Sequence, residues 1–513
     1  MVKLDIITGF EPVVLGSNPG EGTYKMTIPK EVKTIILKLE EAGFEAYVVG
    51  GSVRDFLLAQ SGVEGLEPKD WDITTNAKPE EIQKLFPDSF YENNFLTVSV
   101  LTGSKIENLQ EIEVTAYRLE TKYSDRRHPD NVKYAQKLQD DLSRRDFTVN
   151  AMAMSEKKEI IDLFGGKEDL KNKIIKTVGN AEERFGEDAL RMLRAVRFAT
   201  TLGFAIEEKT AEAIKKNSNW LEAVSKERIR DEFVKIIMAD NAAKGIELLR
   251  ELNLLKYIIP ELLENYGVTQ SKHHIYDCYT HAIKALEFCA KKKLGLDVRL
   301  ASLLHDIGKP RTKSGQGDDA TFYNHEIVGA RMVFHILTDL KFSKKEIEKI
   351  TKLVRFHLFY YNVDEVKDAS VRRLVKNVGP ENMEELLQVR QADRIGSGVP
   401  KAEPYKLRHL KYLIEKVSKD PISVKMLKIN GADLMEILAE KPGPKIGQIL
   451  DALLGVVLDD PKKNNKKYLE TEAKKFAKLP ENHLKELAER SKEEKAEVQN
   501  QENKIVKDKY WVK

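Results

Sequence analysis

Two cysteines are all the thiols this chain of 513 residues can offer. Cys278 and Cys289 have no metal-ligand spacing and make no disulfide scaffold, which fits a reducing compartment. Long apolar runs are lacking too. No stretch approaches about 18 uninterrupted apolar residues, the length a membrane-spanning helix needs. The opening MVKLDIITGFEPVVLG has no basic stretch followed by a long apolar run, as a leader would. These absences predict a cytoplasmic protein with no membrane segment. A dominant charge is also missing: 85 Lys and Arg stand against 82 Asp and Glu, a formal net charge of +3. That balance excludes a simple polycation but leaves room for a local basic groove that takes nucleic acid. No exact internal repeat is present, and no feature marks an obligate protein partner.

The length allows two to four domains with cores of their own. Residues 1–30 read as irregular, broken by Gly16, Asn18, Pro19, Gly20 and Gly22. After Pro29, the spacing of Val32, Ile35, Ile36 and Leu39 predicts a helix. FEAYVVGG reads as a strand running into a double glycine, VRDFLLA as the next helix, and WDIT as a second strand. Another helix opens near Pro79, and FLTVSV and IEVTAY read as neighbouring strands. This mixture extends to about Leu170. From about Ala181 onward the periodicity is almost wholly helical, with EDALRMLRAVRFATTLGF a strong example. Beyond about Asp460, Lys and Glu dominate, predicting a solvated helix or a partly disordered tail. The fold class is therefore α+β, a mixed-sheet head followed by helical domains.

The chemistry concentrates in the head. Gly50 and Gly51 lie between a strand and a helix, where glycine lets backbone approach phosphate and a helix start offers unpaired amides. Asp70 and Asp72 lie at i and i+2 on a strand, so both project from one face about 6–7 Å apart. Such a pair repels itself unless a cation intervenes, and Mg²⁺ prefers these hard oxygen ligands together with substrate phosphates. A solvated pair beside a turn is the competing reading. Glu113 is a candidate third carboxylate, and Glu111, with the same face parity, competes with it. In LSRRDFTVNAMA, the guanidinium forks of Arg144 and Arg145 suit triphosphate oxygens. Asp146 can orient an arginine or touch a sugar, and Asn150 offers the donor and acceptor of nucleoside recognition; a surface ion-pair network explains RRD equally well. Asp162, Gly166 and Asp169 read as a structural turn. In ERFGEDALRMLRAVRF, Arg191, Arg194 and Arg197 form a skewed polar stripe on one cationic amphipathic helix. Asp188 shares Arg191's face, which a surface salt bridge explains.

In order, YVVGGSVRD with DWDIT, YSDRRHPD, DLSRRDFTVNAMA, DLFGGKEDL, EDALRMLRAVRFA and VSKERIRDEFVKI resemble the bacterial-type, class II tRNA nucleotidyltransferases of the DNA polymerase β superfamily. CCA-adding enzymes are the type case, and bacterial poly(A) polymerases are close relatives. The resemblance implies addition of CCA to the 3′ end of tRNA from CTP and ATP. Asp70 and Asp72 would hold two Mg²⁺ ions, and Asp188 and Arg191 would read the incoming base without a template, braced by Glu187. It implies that Arg54 and Asp55 steady the glycine turn, Arg144 and Arg145 touch triphosphate, Asp146 the ribose, and Arg194 or Arg197 phosphate or base. The organisation it implies is an N-terminal extension over 1–33, a head over 34–170, a neck over 171–240 and a body over 241–400. A tail over 401–460, including GADLMEILAEKPGPKIGQIL, and a charged extension over 461–513 follow. Body and tail would grip the tRNA acceptor arm by shape and phosphates. The segment from Asn76 to Leu109, around Asn94, would include the flexible element of the C-to-A switch.

The helical middle carries a second pattern. THAI at 280–283, LLHDIGKP at 303–310, FYNHEIVGA at 322–330 and RFH at 355–357 resemble an HD domain, a fold often used for phosphohydrolysis. His281, His305 and Asp306 match the first ligands, Asp393 is a candidate last ligand, and His325 and His357 would bind a second metal. Imidazole with carboxylate suits Mn²⁺, Ni²⁺, Fe²⁺ or Zn²⁺. Histidines and acids buried as plain scaffold are the alternative, because adjacent helical residues such as His305 and Asp306 do not share a face. Four further functions remain open at this stage: poly(A) synthesis, CC-only addition, A-only addition, and an HD phosphohydrolase whose head merely binds tRNA.

Overall fold

In the computed structural model, the described residues are 27–61, 68, 70–92, 96–121, 131–270, 275–315, 319–363, 365–418 and 424–512. The segment YSDRRHPD, Asn94 and most of the N-terminal extension lie outside them. The chain divides into two compact units, Met1–Ile258 and Ile259–Lys513.

The first unit opens with the helix Lys30–Glu41, which buries Val32, Ile35, Ile36 and Leu39, the face set by their spacing. The strands follow as β1 (Ala46–Val49), β2 (Asp72–Thr75), β3 (Ser89–Glu92), β4 (Thr97–Leu101), β5 (Glu111–Ala116), β6 (Arg118–Thr121), β7 (Asn131–Tyr134), β8 (Met152–Met154) and β9 (Ile160–Asp162). Seven form one sheet in the order β3-β4-β5-β2-β1-β8-β9, and β6 pairs with β7 apart from it. Within the large sheet β2 and β5 run parallel, and the other pairs are antiparallel. Register aligns Ser99, Glu113, Asp72, Val49, Ala153 and Ile161 in a row across six neighbouring strands. Beside the sheet, Val49, Tyr117, Ala135, Leu138, Leu142 and Ala153 form a core that anchors the helix Leu138–Ser143.

The helices Ala181–Glu187, Leu190–Leu202, Lys226–Met238 and Ala242–Glu251 complete this unit. The last packs on the two before it, so residues 242–251 sit with the helices Leu190–Leu202 and Lys226–Met238. ERFGEDALRMLRAVRF is two helices, not one. Asp188 is extended, with φ −143° and ψ 105°, and its Oδ1 accepts a hydrogen bond from the Leu190 N–H at 3.1 Å. An aspartate that bonds the backbone two residues on competes with helix propagation and starts a new helix instead.

The second unit is helical. Cys278–Lys291, Leu296–Leu304, His325–Asp339, Lys344–Phe356 and Met383–Gly396 pack together. Tyr405–Ser418 follows, and then Gly431–Leu438, Pro444–Asp459, Lys466–Phe476 and Glu481–Lys509 surround a core that includes Ile449, Leu453, Leu469 and Leu484. The charged C-terminal region is neither free in solvent nor formless. Its 29-residue helix lies along Pro444–Asp459 and buries Leu484, Ala488 and Ser491, spaced i, i+4 and i+7. Among the described residues, no helix is long and apolar enough to cross a membrane.

Candidate active site

The head site is built on the sheet row. At the end of β1, Gly50 takes φ +76° and turns the chain into the helix Gly51–Gln60. A Cβ at residue 50 would lie 2.8 Å from Arg145 Nη1 and 3.8 Å from Asp72 Oδ2. Glycine thus brings a bare backbone against the carboxylate and guanidinium of the site. Asp72 opens β2 opposite Val49, and Glu113 is its in-register neighbour on β5. Register selects Glu113 over Glu111, which pairs only with Leu101 at the strand's start. Asp72, Glu113, Arg118, Arg144 and Arg145 line one cavity of about 350 Å³. Asp70 does not share the strand with Asp72 as its spacing predicts: it is exposed in a bend ahead of β2, and its carbonyl accepts a hydrogen bond from Ser52 Oγ at 2.7 Å, which ties it to the start of the helix. Burial raises the Asp72 carboxyl above its ordinary value; Arg145 opposes that shift and Asp70 adds to it. Hard carboxylates beside guanidinium groups are a donor set that fits Mg²⁺ carrying a polyphosphate.

Arg144 and Arg145 are anchored by an aspartate that motif reading passed over. Asp141 is 0 % exposed and accepts from Arg144 Nε at 3.0 Å and Nη2 at 2.7 Å, from Arg145 Nη2 at 3.5 Å, and from Thr74 Oγ1 at 3.2 Å. Burial alone would raise its carboxyl, but Arg144 and Arg145 hold it below the ordinary value. The signal was present in LQDDLSRR, where an acid precedes two arginines by three and four residues. Arg118 was missed as well, since nothing in IEVTAYRLE distinguishes it from an edge-strand cation.

Asp146 orients an arginine. Its carboxylate accepts from Arg194 Nε at 2.8 Å, from Asn150 Nδ2 at 3.1 Å and from the Phe147 N–H at 2.8 Å. Arg54 Nη1 in turn donates to Asn150 Oδ1 at 2.7 Å, and Arg54 Nε to Asp55 Oδ1 at 2.8 Å. The guanidinium groups of Arg54, Arg194 and Arg197 gather around the Phe198 ring at 5.1, 5.4 and 3.8 Å, and Arg197 Nε meets Glu232 Oε2 at 2.6 Å. The arginines read as a polar stripe are thus bound inward.

Asp188 and Arg191 do not satisfy each other. Asp188 pairs with Arg228 at 2.8 and 3.3 Å. Arg191 pairs with Glu187 and donates to the carbonyls of Arg184 at 3.2 Å and Arg144 at 3.0 Å. Arg228 comes from VSKERIRDEF and was not singled out by motif. Asp162 is structural, accepting from the Gly166 and Lys167 N–H groups at 2.8 and 2.9 Å.

The second unit holds a separate cluster. His281, His305, Asp306, His325, His357 and Asp393 are all buried. Asp306 Oδ2 lies 3.3 Å from His281 Nε2 and 3.2 Å from His305 Nε2, while Oδ1 lies 3.3 Å from His325 Nε2 and 3.6 Å from His357 Nε2. Asp393 Oδ1 is 3.4 Å from His281 Nε2 and 3.7 Å from His305 Nε2. His305, His325 and His357 each place Nδ1 2.7 Å from a backbone carbonyl three residues earlier. Each Nδ1 therefore carries the proton donated to that carbonyl, which points Nε2 into the cluster. The adjacent His305 and Asp306 reach one centre because the helix Leu296–Leu304 ends just before them. Burial alone would lower His305, but Asp306 and Asp393 push it up to about 10, whereas burial holds His357 below its ordinary value. The buried His325 Nε2 has no hydrogen-bond partner among the described residues. An Nε2 with no hydrogen bond, facing a carboxylate that three other imidazoles also approach, fits a divalent transition metal.

Residues 46–176 match the poly A polymerase head domain, residues 203–265 the probable RNA and SrmB-binding site of polymerase A, and residues 325–473 tRNA nucleotidyltransferase domain 2. A CCA-adding enzyme of Ligilactobacillus salivarius is 37 % identical over 460 residues, covering 88 % of this chain and 98 % of that protein. The chain belongs to the CCA-adding enzyme family. A CCA-adding enzyme of Bacillus cytotoxicus is 42 % identical over 261 residues, 50 % of this chain and 63 % of its own length. Among solved structures, the Bacillus stearothermophilus CCA-adding enzyme in complex with CTP superposes with a TM-score of 0.54 at 28 % identity, covering 87 % of this chain and 96 % of that one. CCA-adding enzymes work with a divalent metal, and the head domain match spans Asp70, Asp72, Glu113 and the RRD motif.

Proposed function

We propose that the head cavity is the nucleotidyl-transfer site, and that this family member adds CCA to the 3′ end of tRNA from CTP and ATP with release of pyrophosphate. The observation that carries the assignment is the register row: Glu113 beside Asp72, with Gly50 and Arg145 against the same carboxylate. Asp70 and Asp72, with Glu113 beside them, would hold Mg²⁺. Bound there, the ions would supply the charge that lowers the pKa of the RNA 3′-hydroxyl and steadies the leaving pyrophosphate. Arg144 and Arg145, preset by Asp141, bind triphosphate, and the bare backbone at Gly50 leaves room for it. Asp188 and Arg191 present their remaining lone pairs and N–H groups to the base, while Arg228 and Glu187 fix them from behind. A mispaired base leaves such groups unsatisfied, which selects C or A. Asp146 and Asn150 steady Arg194 and Arg54 around this pocket. The helical second unit takes the tRNA acceptor arm, and the buried, free thiols suit a cytoplasmic setting.

The test supplies tRNAs ending at the discriminator base, at C and at CC, with CTP and ATP given singly and together and Mg²⁺ present, and sequences the products. Growth to CCA followed by arrest is expected. The variant Asp72→Asn should lose at least about a thousandfold in rate, on the scale of removing a charge-stabilising group. Long A tails would replace the assignment with poly(A) synthesis, and arrest at CC with a specialist enzyme.

The six-residue cluster favours a second reading alongside the first. His281, His305, Asp306 and Asp393 would hold one transition-metal ion, with His325 and His357 holding another across Asp306. Such a centre would supply a metal-activated water for phosphoester hydrolysis.

A further inference from the structure

The C-terminus ends in a feature that packing does not account for. The helix Glu481–Lys509 closes with the Val512 N–H on the Lys507 carbonyl at 3.0 Å. That bond makes a Schellman turn in which Trp511 occupies the left-handed position, at φ +50°. Glycine is favoured there, and a bulky residue is strained. Trp511 is the one aromatic among the described non-glycine residues with positive φ. Its strain is not offset by burial, since the residue is 79 % exposed while the neighbouring Val506 and Val512 are buried. The indole is therefore held out, on a fixed turn, from a docked helix end. Tyr510 Oη and Lys509 Nζ clamp that end to Glu415 at 2.9 and 2.8 Å.

What surrounds the indole has one chemical character. Arg408 on the helix Tyr405–Ser418 lies 6.0 Å from the Trp511 ring and 5.8 Å from the ring of Tyr405, which is itself exposed. His409 packs against Tyr405, and Tyr412 packs against His409, at 6.0 and 5.6 Å, with Lys507 over Tyr412 at 5.9 Å. Residues 403–415 and 504–511 together carry Lys406, Arg408, Lys411, Lys504, Lys507 and Lys509 against Glu403, Glu415 and Asp508. Exposed aromatic faces flanked by excess cations are the chemistry that stacks unpaired bases while following a phosphate backbone. A membrane surface would need a run of exposed aliphatic side chains, but over residues 504–512 Ile505 is the one such side chain, among the exposed Lys504, Asp508 and Lys509.

We propose that Trp511, with Arg408 and Tyr405, forms a stacking platform for an unpaired base of RNA, a binding site outside the catalytic head. The inference rests on tRNA being the substrate. Binding of tRNA is measured for the full chain, Trp511→Phe, Trp511→Gly and Arg408→Ala, together with melting temperature and kcat and KM for tRNA and for ATP. Trp511→Gly should raise the Kd and KM for tRNA about fivefold or more without lowering the melting temperature, because glycine relieves the turn. Trp511→Phe should stay within about twofold of the parent, and kcat and the KM for ATP should not move. Arg408→Ala should weaken binding and flatten its salt dependence, whereas Trp511→Gly should leave the salt slope unchanged. Equal tRNA affinity for Trp511→Gly and the parent overturns the proposal. So does a loss confined to anionic vesicles, which would make the site a membrane anchor. If the parent binds tRNA through Trp511 yet adds no nucleotide, the catalytic assignment fails and this platform stands.

Discussion

A single hydrogen in place of a methyl group at residue 50 lets Arg145 Nη1 occupy a space only 2.8 Å from where a Cβ would sit. Gly50→Ala must displace that guanidinium and force a side chain into positive-φ backbone outside the left-handed helical well, at a cost of about 1–3 kcal/mol. We expect a melting temperature lower by a few degrees and KM values for CTP and ATP higher by about tenfold, read from steady-state nucleotide addition. Unchanged KM values would remove Arg145 from triphosphate binding. Asp146 makes a second residue-scale case. Burial by itself would raise its carboxyl, but Arg194 and the hydrogen bonds from Asn150 and Arg194 carry it down from 3.8 to about 2. Its folded value thus lies below its unfolded one. The stabilisation is complete above about pH 4 and is lost as pH falls through 2, amounting to about 2 kcal/mol. Asp146→Asn has no such titration, so the gap in unfolding free energy between it and the parent should narrow from pH 4 toward pH 2. Denaturant unfolding at several pH values checks this, and a constant gap would contradict it.

At the scale of elements, the final helix shows what composition hides. Its mean polarity is high because Lys and Glu fill its outer faces, yet Leu484, Ala488 and Ser491 make a narrow buried stripe. Ser491 meets Gly455, where an added Cβ would stand 2.3 Å from Ser491 Oγ. Gly455→Ala should therefore wedge the two helices apart and cost about 1–3 kcal/mol by overpacking. Adding Ser491→Ala should recover part of that loss, a coupling that a double-mutant cycle measures. Additive effects would mean that the helices do not meet there. The helix Lys30–Glu41, by contrast, was legible from four spaced apolar residues, as were β1, β2 and the adjacency of β4 and β5, because one-dimensional period decides which face is buried. The break at Asp188 was not legible, since helical periodicity continues through EDALRM and only a side-chain bond to the Leu190 N–H interrupts it. The same limit separates the site residues. Gly50, Asp72, Arg144 and Arg145 stood out as motif. Choosing Glu113 over Glu111 required the β2–β5 register, and Arg118 and Arg228 needed the three-dimensional neighbours they meet.

At the scale of the whole molecule, each of the two compact units contains, among its described residues, a constellation of candidate metal ligands, and the two differ in donor chemistry. The head offers carboxylates with arginines alongside, which favours weakly held Mg²⁺ arriving with nucleotide. The second unit offers four imidazoles around Asp306, with Asp393 at one side, which favours a tightly held transition metal. Because no ligand is shared, the two should be removable separately. Asp72→Asn should abolish nucleotide addition while the purified protein keeps any transition metal, measured by elemental analysis. Asp306→Asn touches all four imidazoles and should empty the second centre. It should also remove the carboxylate partner of Lys309, which lies 2.7 Å from Asp306 Oδ2, and leave Lys309 with Gln270, so melting temperature must be followed alongside. His357→Gln preserves that ion pair and serves as the milder variant. If the centres are independent, His357→Gln lowers metal content with nucleotide addition to tRNA within about twofold of the parent. A parallel loss of nucleotide addition at an unchanged melting temperature would mean that the histidine centre serves the transfer reaction itself.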